Sequence, residues 1–469
     1  MSSVIELKDS STTRVSAEFL LEGRSSWGAE KTIGRLAEQF RKQNQGILRN
    51  FGIDARVGYD GQDIALTFRT STNVGALPLL SPSTGKPDYG IVIRPRFGWS
   101  GLGSMLSQTG WRVIPTLLRL PELPRSDRKV PPWVLSSVVV RRIRTLLASI
   151  LRKFEITERD RAAPRGQVRW GEYAMRRVAR AKFLDVPCRY PELQDDHELL
   201  SAIHFTLRKH RASLTTQRHA GPMVAELLEM CQKLLKQVSH VSPQPPSGTQ
   251  LRTWSKQPLL PEAFELGIQA IEWTVDERGL AGLGDREGLA WVLPMEEFFE
   301  AWLELLAERY CRRFGGTAKV GRKRETVVPI SWEPSYVGSQ KSLVPDVIIE
   351  QAGRTIILDA KYKSHWEELD LYGWHAVRDF VRDTHRNDIL QVLAYANLSE
   401  AKHVTTCLVY PCKRETWESL DRRERVAHRA DVPVGTRRVE VVLMAVPMDG
   451  FGGDKVLAHA LKQQSAMRD

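Results

Sequence analysis

The sequence predicts a mixed α/β fold, with a C-terminal mixed sheet flanked by helices behind a β-rich N-terminal domain and a helical middle region. Three observations predict it. Residues 1–130 read as short strand-like runs punctuated by turn residues, as in "DIALTFRT" and "GKPDYGIVIRPRFGW". From Trp133 to about Val238 the apolar spacing turns helical, as in "HELLSAIHFTLRKHRASL" and "MVAELLEMCQKLLKQV". The last section alternates helix, strands, helix and strand, the order of a layered α/β arrangement.

Four stretches follow from this pass: a β-rich domain over 1–130, a basic helical region over 131–240, a linker over 241–260 and an α/β domain over 261–469. The linker assignment rests on "VSPQPPSGTQ", which is too rich in Pro and Ser to pack a core. Beyond it come a helix at "PEAFELGIQAIEW" and a Gly-rich loop at "RGLAGLGDREGLAW". An amphipathic helix follows at "PMEEFFEAWLELLAERYCRRF", then a hairpin and a long helix ending "NDILQVLAYANLSEAK". Strands at "HVTTCLVYPC" and "RRVEVVLMAVPM" close the domain. No internal repeat at a fixed period is present.

The 469 residues are 42% hydrophobic and 26% charged, an ordinary globular balance. No run approaches the roughly 18 consecutive apolar residues of a membrane span. The N-terminus has acids and no apolar signal core, and five scattered cysteines form neither a zinc spacing nor an even disulfide set. A cytoplasmic protein without a membrane partner is expected. The formal charge is +12, and thirteen Lys and Arg crowd into Arg141–Lys182 against four acids. Arg176, Arg177 and Arg180 in that cluster are candidates for contacts to a DNA backbone. A solvated face paired with acidic neighbours is the competing reading.

The chemistry concentrates in "LVPDVIIEQAGRTIILDAKYKSHW" (Leu343–Trp366). Its turn signal pairs Glu350 with Thr355, which sets Ile348 opposite Ile357 and Asp346 opposite Asp359. Val347, Ile349, Ile356, Leu358, Ala360 and Tyr362 then share an apolar core face, while Asp346, Asp359, Lys361 and Lys363 share the other. Carboxylates so placed need a shared proton or a cation between them. Hard oxygen ligands beside a lysine suit Mg²⁺, with Mn²⁺ as a substitute. The metal would polarise a phosphate and activate water, and Lys361 would orient the nucleophile or offset charge. Glu300, behind Phe298 and Phe299 on the preceding helix, is the candidate third carboxylate, with Glu296 and Glu297 beside it. Gln391 and Tyr395 lie i, i+4 on one helical face, where they could orient a site lysine.

"PD" at Pro345–Asp346, "DAK" at Asp359–Lys361 and Gln391-xxx-Tyr395 resemble the PD-(D/E)xK nuclease superfamily. More narrowly, "FFEAW", "LVPDVII", "LDAKYK" and "LQVLAYA", with "IVIRPRFG" and "PRGQVRW" upstream, are similar to the McrC family. The resemblance implies a nuclease subunit of a modification-dependent restriction system, partnered with an AAA+ GTPase or ATPase of the McrB kind. The upstream β-rich region would dock on that motor. The resemblance carries metal ligands to Asp346, Asp359 and Glu300 and the catalytic lysine to Lys361. No GxxxxGK[ST] occurs here, so nucleotide hydrolysis would fall to the partner. A non-catalytic DNA-binding adaptor that activates such a motor is the alternative, and a nuclease for RNA or branched DNA is a third option.

Overall fold

The computed structural model describes residues 3–21, 30–60, 63–98, 101–110, 112–113, 115–118, 132–149, 153–194, 196–218, 222–255, 262–275, 290–334, 338–351, 353–366, 379–434, 437–450 and 453–462. The chain divides into two compact units. One comprises Met1–Lys129, Gly221–Met223 and Glu287–Asp469, and the other Val130–Ala220 and Val224–Arg286.

The first unit holds three sheets that matter here. A five-stranded sheet runs in the order Ser3–Lys8, Tyr89–Arg94, Asn73–Leu79, Trp291–Pro294 and Thr116–Leu117. Beside it lie a three-stranded sheet (Thr12–Ser16, Asp63–Thr70, Ile53–Asp60) and the 22-residue helix Glu30–Phe51. Strand-like runs are the sequence expectation for this region, yet Ile33, Ala37, Phe40, Leu48 and Phe51 form one buried helical stripe. Polar residues between those positions, including buried Asn44, thin the apolar signal. Asn44 itself is spent on the Phe40 and Leu80 backbone.

Strand Trp291–Pro294 inserts into the N-terminal sheet although it lies two hundred positions later in the chain. Gly75, at φ 151°, allows this, because a Cβ there would lie 2.0 Å from the Trp291 carbonyl oxygen. The N-terminal strands and the C-terminal α/β section are therefore one unit rather than separate domains. Met295–Phe314 continues from that strand as a helix and buries Phe298, Phe299, Trp302, Leu303 and Leu306.

The third sheet has six strands in the order Thr317–Val320, Val347–Gln351, Arg354–Ala360, His403–Cys412, Arg437–Pro447 and Ala427–Val434. It is mixed: Arg354–Ala360, His403–Cys412 and Arg437–Pro447 run parallel, and the outer pairings are antiparallel. Ile349, Ile356, Leu358, Cys407 and Val409 are almost wholly buried at its centre. Helix Asp379–Ala396 covers the other face, where Tyr395 and Ala396 pack on Ile357 and Val404. The face carrying the charged candidates is therefore covered over part of its length.

The second unit packs helices Pro132–Ser149, His197–Thr216 and Glu262–Val275. Gly267 makes the closest crossing, with a Cβ position only 2.6 Å from a Leu146 methyl. This unit also holds a three-stranded sheet, Lys153–Arg161, Val186–Gln194 and Gln167–Val168, inside the stretch read as helical. The segment Val241–Gln250 is not a connector between the units. The Ser201 hydroxyl donates to Ser242 O at 2.6 Å, and the helix Gly248–Ser255 begins within it. Helix Glu262–Val275 likewise belongs here and not to the C-terminal domain. The Gly-rich loop lies outside the described residues up to position 289. None of the five cysteines forms a disulfide, and no described helix is long and apolar enough to cross a membrane.

Candidate functional site

The hairpin pairs Val347 with Leu358, Ile348 with Ile357, Ile349 with Ile356 and Glu350 with Thr355, the register the sequence dictates. It closes one step further than expected, with Gln351 opposite Arg354 and Gly353, at φ 73°, in the turn between them. Asp346 and Asp359 are the next positions beyond the Val347–Leu358 pair. Asp346 Oδ2 accepts from the Ala360 amide at 2.7 Å, which locks the two strand ends together.

Asp359 is 2% exposed, and its Oδ2 sits 2.7 Å from Lys361 Nζ in an ion pair without a well-directed hydrogen bond. Lys361 Nζ also donates to Gln391 Oε1 at 2.9 Å. Gln391 Nε2 in turn donates to the Tyr395 hydroxyl at 2.8 Å. The i, i+4 pair on the covering helix thus orients the strand lysine.

Electrostatics mark the site as short of positive charge. Burial, then the neighbouring Asp359 and Glu300 carboxylates, push Asp346 up to about 8. Burial also raises Asp359, against the opposing pull of Lys361. Burial alone would lower the Lys361 ammonium, but Asp359, with Asp388 and Asp346 beyond, holds it above its ordinary value. Glu300 is raised to about 7, first by burial and further by Glu297, Glu296 and Glu304, while Arg322 opposes.

Of the three helix glutamates, Glu296 and Glu297 are exposed and Glu300 is half-buried. Glu300 stands within electrostatic range of Asp346. Among the described residues, no three His, Cys, Asp or Glu side chains converge tightly enough to form a ready-made metal cluster. The donor set is therefore a pair, Asp346 and Asp359, with Glu300 behind it. A hard cation that keeps several waters fits such a pair. The burial of both carboxylates and their raised pKa values fit it as well.

Lys363 does not turn to the aspartate pair. Its Nζ binds both Asp388 oxygens, at 2.8 and 2.6 Å, and Tyr410 OH donates to the same carboxylate at 3.1 Å. His385 Nδ1 lies 3.1 Å from Tyr410 OH, and His365 stacks on both rings, 4.7 Å from His385 and 4.5 Å from Tyr410. Sequence reasoning misses Asp388 and His385. The available signal is the helical face of Gln391 and Tyr395, which extends back through Asp388 and His385 at three-residue steps. It also misses Glu304, which is buried and meets Arg112 at 3.2 Å and Arg322 at 3.6 Å.

Arg176, Arg177 and Arg180 lie in the second unit, on a short irregular run of helical turns over Trp170–Arg180. Arg177 binds Asp160 at 2.5 Å, and Arg176 lies 3.7 Å from Glu172. Arg180 is exposed. Trp170, Met175, Phe183 and Leu184 around them are 59–80% exposed.

No curated protein matches the chain. Among solved structures it is similar to a chain of the refined half-complex from a tetradecameric assembly of Thermococcus gammatolerans McrB AAA+ hexamers with bound McrC. The identity is 14% and the TM-score 0.42, over 98% of this chain and 100% of that one. It is also similar to a chain of the T. gammatolerans McrBC complex seen by cryo-EM, at 12% identity and TM-score 0.27, over 66% and 88% of the two chains. The family model for the McrBC 5-methylcytosine restriction system component matches residues 91–411 and so includes the aspartate pair, Lys361 and Gln391. The chain belongs to that family.

Proposed function

We propose that this chain is the Mg²⁺-dependent DNA endonuclease subunit of a McrBC-like restriction or anti-phage system, built on a PD-(D/E)xK core and acting with an AAA+ NTPase. The observation that carries this reading is the juxtaposition of Asp346 and Asp359 at the end of a buried hairpin, with Lys361 held beside them by Gln391. Asp346 and Asp359 would hold the metal, with Glu300 contributing through water or charge. When bound, the ion supplies charge neutralisation at a phosphodiester and a water of lowered pKa.

The chain's own residues do the rest. Lys361, fixed by Gln391 and Asp359, presents a positive charge where a phosphorane-like transition state gains negative charge. Tyr395 steadies Gln391 and so the lysine. The apolar sheet beneath keeps the carboxylates from relaxing into solvent, so their mutual repulsion favours cation uptake.

The NTPase partner is inferred from membership of a restriction-system component family and from a sequence without a phosphate-binding loop. Five of the nine large apolar side chains that stand exposed among the described residues fall between Trp170 and Leu184. Apolar surface interleaved with Arg176 and Arg177, which already face acids of their own surface, fits a protein partner better than a phosphate backbone. That surface supports docking by the second unit, in place of the β-rich N-terminal region.

The test is plasmid nicking by the complex with its NTPase, in Mg²⁺ and in excess chelator. Cleavage in Mg²⁺ that is lost in chelator and restored by Mn²⁺ is the expected outcome. Cleavage undiminished by chelator ends the metal assignment. No cleavage under any condition, with NTPase stimulation intact, leaves the adaptor reading standing.

A further inference from the structure

We propose that the arm Gly321–Thr326 is a substrate-holding element that binds nucleic-acid backbone phosphates through Lys323 and Arg324. It rests on the nuclease reading only for what the substrate is. The arm directly follows strand Thr317–Val320, the neighbour of Val347–Gln351 in the sheet, and packs on the chain at Pro345–Asp346.

Its first turn is pinned to the aspartate strand. The Gly321 amide donates to Asp346 O at 2.8 Å, and the buried Thr326 hydroxyl donates to Pro345 O at 2.6 Å. The approach is close enough that a Cβ on Gly321 would lie 2.7 Å from Pro345 O. Within the turn, the Arg324 amide donates to Gly321 O at 2.8 Å. Arg324 is held at φ 62°, a left-handed conformation that costs a non-glycine residue about 1 kcal/mol.

Three consecutive cations occupy this turn, and they are used differently. Arg322 folds back, its Nε 3.6 Å from Glu304 and its Nη2 donating to Arg112 O at 3.2 Å. Lys323 and Arg324 are exposed and, among the described residues, have no ion pair or side-chain hydrogen bond. Glu325, the nearest acid in sequence, accepts from the Val320 amide at 2.8 Å, which commits it to the backbone. The contrast with Arg176 and Arg177, both facing acids of their own surface, is direct.

Geometry then limits the ligand. Three Cα–Cα steps lead from Gly321 to Arg324, a path of at most about 11 Å. Each strand of a duplex carries a phosphate per roughly 3.4 Å of axis. A strand whose phosphate reached Asp346 and Asp359 would place its next few phosphates within reach of these two side chains. Free cations on a rigid turn beside a carboxylate cluster also offset the repulsion that cluster exerts on a polyanion.

The experiment measures binding of a short fluorescent DNA duplex to the full chain, in chelator so that no cleavage intervenes, across a range of salt. Lys323→Glu with Arg324→Glu should weaken affinity at least tenfold. It should also reduce the slope of log K on log salt by about two units, near 0.9 per lost phosphate contact. Lys323→Arg with Arg324→Lys should keep the wild-type slope, which separates charge from fold. Unchanged affinity and slope in the double reversal overturns the proposal, as does a wild-type chain that fails to bind DNA at low salt. Should the wild type bind with this charge dependence yet never cleave in Mg²⁺, the nuclease reading fails and the arm's role stands.

Discussion

Asp346 and Asp359 differ in a way that decides how each variant should behave. Asp359 is ion-paired to Lys361, whereas Asp346 is held by a backbone amide and is pushed up to about 8. A carboxyl whose folded pKa is raised binds a proton that the unfolded chain has already released. Its contribution to stability is therefore fully present below the unfolded value near 3.8 and is lost as pH rises towards about 8. Metal-free protein should show a melting temperature that declines between pH 5 and pH 8.5. Asp359→Asn should flatten that decline, because it removes the like charge that burial magnifies, and saturating Mg²⁺ should flatten it too. A pH profile identical in wild type and Asp359→Asn contradicts the coupling. In the second unit the sign reverses. Burial lowers His210 to about 3, and its neutral ring bridges Ser136 and Thr274, each at 3.0 Å. Its contribution is present above the unfolded value near 6.5 and drains away as pH falls towards 3, so acid should loosen this unit. His210→Gln should reduce that acid sensitivity in hydrogen exchange resolved by segment.

The site is assembled by two elements, a hairpin and the helix laid across it, and their legibility in the sequence differs. The hairpin register is readable because the alternation is strict and a single Gly-containing turn fixes the pairing, so one slip would expose every isoleucine. The cover provided by Asp379–Ala396 is less readable. Its contact face mixes Asp388, Gln391 and Tyr395 with Val392, and a polar helix face ordinarily signals solvent. The fate of Lys363 was hidden for the same reason, since its partner Asp388 lies 25 residues away on that helix. Asp388→Asn tests the assembly. It leaves the fold's volume unchanged but removes the charge that fixes Lys363 and accepts from Tyr410. Cleavage should fall by roughly tenfold through kcat, in the range of a mispositioned group, with KM little changed. A variant with normal kcat would confine Asp388 to a structural ion pair. The Glu262–Val275 helix is readable as a helix, and its assignment to the C-terminal domain fails for another reason. Helical periodicity names an element, and only packing, as at Gly267 against Leu146, assigns it to a unit. Gly267→Leu should overpack that crossing and cost the second unit about 1–3 kcal/mol, measurable as an earlier unfolding step.

At the scale of the whole molecule, the +12 charge is divided between two units that solve different problems. The first largely buries the Asp346–Asp359 pair beside Lys361. The second displays exposed tryptophan, phenylalanine and leucine beside Arg176 and Arg177, which face acids of their own surface. If cleavage and partner engagement are separable in this way, variants in each unit should damage one function and spare the other. Lys361→Ala removes the positive charge at the candidate phosphate position and should cut plasmid nicking by at least roughly a hundredfold. It also strips Asp359 of its counter-ion, so its metal-free melting temperature should fall while Mg²⁺ restores it. Asp359→Ala and Asp346→Ala should abolish nicking, and all three should stimulate the NTPase as the wild type does. Trp170→Ser with Phe183→Ser should do the reverse, because both side chains are more than half exposed and contribute little to folding. Intrinsic metal-dependent nicking should persist, while NTPase stimulation drops by about tenfold or more. The decisive measurement is the pair of rates for each variant in one preparation. Parallel loss of both rates in Lys361→Ala would show that the two activities share a site and would dissolve the division. Wild-type nicking and wild-type phage defence in both Lys361→Ala and Asp359→Ala would remove the nuclease from this chain altogether, leaving the exposed surface of the second unit as its working part.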